Sequence, residues 1–144
     1  MKAITTEKFA VLAGCFLMIG LGVGHTQVMN QVSFTMSEPF TVANTTLPAG
    51  KYMIRSVQGT DQAVLEVASV SGHPSVMVEA DSAQPDAAQA GSHLVFNKYK
   101  NVLALSEVFP SGGSAGYRLV QGQREKLASK TEKPTKQTVA LNAQ

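Results

Sequence analysis

Cysteine is nearly absent from this sequence. Cys15 is the only one, and it lies in an N-terminal segment expected to be removed. Without it the mature chain has no disulfide, no thiol nucleophile and no cysteine metal ligand. Stability must then come from core packing. Charge is also sparse: Asp, Glu, Lys and Arg make up 15% of the residues, and the formal net charge is +2. That balance implies no strong field. It argues against nucleic acid, whose binders carry a denser basic face with aromatic residues among it. Histidine is limited to His25, His73 and His93. None stands in an H-x-H or HExxH spacing, and Asp81 and Asp86 lack the spacing of a calcium loop, so no metal site is expected. No cofactor is expected either.

What is present starts with a leader. Lys2 and Lys8 give a positive start, and Phe9 to Val23 is apolar or glycine throughout. That run suits the core of a secretory signal and is short for a membrane span, which needs about 20 residues. The small residues Gly22-Val23-Gly24 follow. The expectation is export, with a helical signal peptide at 1–24 and a mature start at His25, Gln27 being a second junction. A lipid anchor competes. Leu12-Ala13-Gly14-Cys15 matches a lipobox, in which Cys15 would be lipidated. Its apolar segment, Phe9 to Gly14, is short, and the apolar run continues past the cysteine. An uncleaved anchor is the third reading.

The rest of the chain alternates at period two. Val32, Phe34 and Met36 share a face, as do Phe40 and Val42. Thr46-Leu-Pro-Ala-Gly-Lys-Tyr52 reads as a turn at Pro48-Ala49, with Gly50 at its exit taking positive φ. The simplest pairing is a hairpin of 39–44 with 51–57, in which Tyr52 and Ile54 face the core. Leu65 and Val67 oppose Val64, Glu66 and Ala68 in the next strand, and Val76 and Val78 share a face in the one after. Asp81 to Ser92 has no apolar face and is expected to be a mobile loop. Leu94 to Tyr99 and Val102 to Phe109 form a hairpin about Lys100-Asn101, the latter strand apolar enough to be central. Tyr117 to Val120 is the last strand. Arg124 to Ser129 suits one or two turns of helix.

These short strands, with Gly/Pro turns between them, predict an all-β fold: a single antiparallel β-sandwich or partly open barrel of about 7–8 strands. The domain is placed at 25–127, with a mobile loop at 81–92 and a disordered polar tail at 128–144. The tail is basic. Residues 122–144 hold Arg124, Lys126, Lys130, Lys133 and Lys136 against Glu125 and Glu132. A solvated tail is the simplest account of that charge.

Phe40-Thr-Val42 followed by Leu47-Pro-Ala-Gly-Lys-Tyr52 resembles a family of small exported β-proteins best known from acidobacterial genomes. Its later features correspond here to Leu94-Val-Phe96-Asn-Lys98-Tyr99, the apolar strand Val102 to Phe109, Gly116-Tyr-Arg-Leu119 and Arg124-Glu125-Lys-Leu127. The likeness runs through most of 32–127. There are departures. Lys100-Asn101 replaces a common Gly-Asp, Phe109 stands where many members have Trp, and Gly122 stands where many have Ser. The resemblance implies the fold and export. It implies no catalytic residue.

Chemistry has few candidates. Gly112-Gly-Ser114-Ala-Gly116 matches the G-x-S-x-G of a hydrolase elbow. That elbow needs a strand-to-helix turn and a positioned base, and here the run joins two strands. Tyr52, Tyr99 and Tyr117 lie on separate strands and could line one aromatic surface, although core or rim roles are commoner. Glu107 lies within the most apolar strand. If buried, it needs a partner, and Arg118 and Lys98 are the candidates. The expected function is a non-enzymatic structural or interaction role in the envelope or outside the cell. Self-association through edge strands with few charges is one form of it, and an envelope or extracellular partner is another. A small-ligand-binding barrel is the alternative.

Overall fold

The computed structural model describes residues 31–57, 63–85, 91–110 and 115–141. The signal segment 1–24, Cys15, His25, Asp86 and Ser114 lie outside these residues. The order is β1 (Val32–Met36), β2 (Phe40–Val42), β3 (Thr45–Leu47), β4 (Gly50–Val57), β5 (Ala63–Ser69), β6 (Ser75–Ala83), β7 (His93–Lys98), β8 (Leu103–Phe109), β9 (Gly116–Leu119), α1 (Gln123–Thr131) and β10 (Thr135–Ala140).

The strands form one open, branched sheet. Its path is β1-β4-β5-β6-β9-β8-β2-β3, and β7 and β10 continue from the other edge of β8. β8 is the branch point. One edge pairs with β7, and the other is shared between β9 at Glu107–Val108 and β2 at Ala104. The β2–β8 contact is parallel, whereas a wholly antiparallel fold is expected from the sequence. Among the described residues ten strands replace the expected seven or eight, because β2 and β3 are separate short strands and the C-terminal segment adds β10.

The sheet curls around a main core, and Ala83, Val95 and Phe109 form a second, smaller buried cluster. Phe34 on β1 and Phe40 on β2 lie far apart in strand order, yet their ring centroids are 5.8 Å apart. Phe40 also meets Tyr52 at 5.0 Å and Phe96 at 5.8 Å, both edge-to-face. Such contacts add to area burial. Ile54, Leu65, Val67, Leu94 and Val108 complete a layer fully removed from solvent.

The hairpin expected between 39–44 and 51–57 does not form. β2 pairs with β3 through a tight turn at Ala43-Asn44, and β4 pairs instead with β1 and β5. Pro48-Ala49 is a corner at which the chain passes from the β2–β3 hairpin to the β1–β4 pair. Gly50 is not in the left-handed region; it opens β4 opposite Met36. The Tyr52 hydroxyl donates to the Pro48 carbonyl at 2.7 Å and closes the corner.

Two further expectations are corrected. β6 runs to Ala83, so the start of the proposed 81–92 loop is strand, paired with β9. Residues 86–90 lie outside the described residues. The segment 128–144 is not a disordered tail over its described part. Helix α1 runs to Thr131, β10 pairs with all of β7, and Leu141 is buried. Its polar composition hid this, because an edge strand needs only one partner and little apolar surface.

Candidate functional site

The densest polar constellation lies where α1 meets the sheet. Glu125, in the first turn of α1, is 3% exposed. Its Oε1 accepts from Asn97 Nδ2 at 2.8 Å and from Gln121 Nε2 at 3.3 Å. Tyr99 faces the same carboxylate. Burial raises the Tyr99 phenol pKa, and the charge of Glu125 raises it further. A buried carboxylate needs such donors, because removing it from water without them is costly.

The start of α1 is held from the β2–β3 turn. Gly122 precedes the helix and has no side chain with which to cap it. Asn44 Oδ1 takes that role and accepts from the Gln123 amide at 2.7 Å. Arg124 Nη1 donates to Thr46 Oγ1 at 3.0 Å. A Cβ on Gly122 would sit 1.9 Å from the Ala43 carbonyl oxygen. Glycine is therefore required by close approach. Ala43 itself has φ of 50°, an uncommon conformation for alanine. At the far end of α1, Glu132 Oε1 accepts from the Lys100 amide at 2.6 Å. Together these contacts bolt the C-terminal arm to the sheet.

The other candidates disperse. Glu107 is buried and pairs with Arg118, Nε to Oε1 at 2.9 Å. Lys98 instead faces Glu38 at 3.6 Å. Asp81 lies opposite Arg118 in the β6–β9 register. Glu66 accepts from Arg55 at 2.5 Å and from Ser75 at 2.6 Å, and these bonds hold its pKa below the usual carboxylate value. His93 is buried, stacks on Phe109 at 4.7 Å, and has Nδ1 2.7 Å from the Gly91 carbonyl oxygen. His73 is exposed in the β5–β6 turn. Among the described residues no cluster of three or more metal-ligating side chains occurs.

The three tyrosines do not share a surface. Tyr52 is in the core, where burial raises its pKa; Tyr99 faces Glu125; Tyr117 is half-buried on β9. The Phe34, Phe40, Tyr52 and Phe96 rings occupy the interior that a barrel-type ligand would enter.

Sequence reasoning missed the roles of Asn44, Asn97, Gln121 and Glu125. The available signal was weak: an asparagine at a turn, a second within an otherwise apolar strand, and a glutamate in a short helical segment. Comparison with family models, curated proteins and solved structures finds no match to this chain.

Proposed function

We propose that the protein is an exported β-domain of the cell envelope or extracellular space, with a structural or interaction role and no catalytic one. One observation carries this reading. The side chains best suited to chemistry are committed to the fold: Glu66 to Arg55 and Ser75, Glu107 to Arg118, Glu125 to Asn97 and Gln121, and His93 to Phe109. The apolar leader and the likeness to the exported acidobacterial family support the location. Lipid anchoring through Cys15 is the membrane-bound form of the same proposal.

Intact mass and N-terminal sequencing of the native protein from separated cell fractions test it. A start at His25 in a soluble envelope or external fraction is the expected result. A lipid-modified Cys15 moves the protein to a membrane. Unprocessed protein confined to the cytoplasm overturns the proposal.

A further inference from the structure

The C-terminal arm holds five of the chain's twelve Lys and Arg residues, and two of them share one exposed face of α1. Within α1, Glu125 is buried against Asn97 and Ala128 is partly buried, so this side of the helix faces the sheet. At 3.6 residues per turn the opposite crest carries Lys126, Leu127 and Lys130. All three are exposed, and Leu127 is 61% so. Lys133 is exposed just beyond. The arm's two carboxylates do not share this crest. Glu125 points inward, and Glu132 is drawn to the Lys100 amide.

Single exposed apolar side chains are common, as at Met77, but Leu127 alone among the described ones is set between two exposed lysines on a helix face, and that combination suits a lipid surface. A lipid headgroup layer offers anionic groups to the lysines and an apolar boundary just beneath for the leucine. A soluble polyanion would engage the lysines but leave Leu127 unused. No helix among the described residues is long and apolar enough to cross a bilayer, so any contact through α1 is with the surface.

We propose that the Lys126–Leu127–Lys130 crest docks the protein on an anionic lipid bilayer. The clamp of Asn44, Gly122 and Glu125 holds that crest outward. The inference deepens the envelope reading and rests on it only for its place in the cell. Binding is measured on purified protein, and fractionation decides export separately.

The test is co-sedimentation of the mature full-length protein with vesicles of phosphatidylglycerol and phosphatidylcholine, against phosphatidylcholine alone. Binding is expected on the anionic vesicles and should weaken as salt screens it. Lys126→Gln with Lys130→Gln should weaken it about 25-fold, at ~fivefold per lysine. Leu127→Ala should weaken it roughly tenfold. These residues are exposed, so unchanged thermal unfolding of each variant separates lost docking from lost folding. Equal binding to neutral vesicles, or undiminished binding by the double lysine variant, overturns the proposal. So does retention on an anionic polysaccharide that is insensitive to Leu127→Ala, with no vesicle binding.

Discussion

β4 and β8 are both interior strands of the same sheet, but they follow different rules. In β4, Tyr52 and Ile54 are buried while Lys51 and Arg55 are exposed. In β8, every residue except Ser106 is buried. The first strand has one wet face, so its pattern of two is visible. The second is covered on both sides, with Leu105 and Val108 in the main core and Phe109 in a second buried cluster with Ala83 and Val95. Its register depends on a bulge. Glu107 pairs with Val95 and Leu105 with Phe96, leaving Ser106 as the extra residue. That residue lets Leu105 and Val108 both face the core while Glu107 turns outward to Arg118.

The same contrast divides the molecule. The β1-β4-β5-β6 region is a half-wet meander, and the β7-β8-α1-β10 region is layered. The aromatic cluster joins them, so its removal gives the largest effect. Phe96→Ala, on β7, takes away the ring that meets Phe40 and should cost about 3–5 kcal/mol. Urea unfolding should remain one transition at lower midpoint, seen alike by both regions. Two separated transitions would show that the regions unfold independently and that the aromatic cluster does not join them.

How much was legible follows from this division. The core faces of β1, β4, β5 and β6 could be read directly, because alternation records a boundary between protein and water. Glu107's need for a partner was also legible, since a carboxylate in an apolar strand requires one, and Arg118 supplies it. The β2–β3 hairpin was not. Pro48 and Gly50 carry the stronger turn signal, yet the reversal falls at Ala43-Asn44, where alanine adopts a conformation usually left to glycine. Docking of that turn against Gly122 is a contact across the chain that no local signal contains. β10 was hidden for a related reason. Its stability comes from β7, not from its own composition.

Glycine substitutions sharpen the contrast at intermediate size. Gly122→Ala forces a Cβ into the Ala43 carbonyl, and should cost about 1–3 kcal/mol through displacement of the arm. Amide exchange should accelerate in α1 and β10 and stay unchanged in β1 and β4. Gly50→Ala is the matched control. Its Cβ would meet only a Tyr52 ring carbon at 3.6 Å, so a change within about 0.5 kcal/mol is expected. If Gly50→Ala proved the more damaging, the corner before β4 would be the tighter constraint and the assignment of the clamp to Gly122 would fail.

The smallest effects separate the two regions by pH. In the meander, Glu66 has a depressed pKa, chiefly from its hydrogen bond to Arg55 and then from that to Ser75. Its contribution is therefore present above the unfolded carboxylate value of about 4.3 and is lost as pH falls through the folded value. In the layered region, Tyr99 has a raised pKa from burial and from Glu125. Its contribution is complete below the unfolded value of about 10 and is lost as pH rises through the folded value. Arg55→Ala should flatten the acid limb of a stability–pH profile and leave the alkaline limb alone. Because the Arg55 side chain is 62% exposed against 11% for Glu66, solvent screening limits the change at neutral pH to under about 1 kcal/mol. Tyr99→Phe should act in reverse, flattening the alkaline limb while leaving the acid limb intact. An Arg55→Ala profile that changed at the alkaline end would mean that the two regions are electrostatically coupled, a result their separate ion pairs do not provide for.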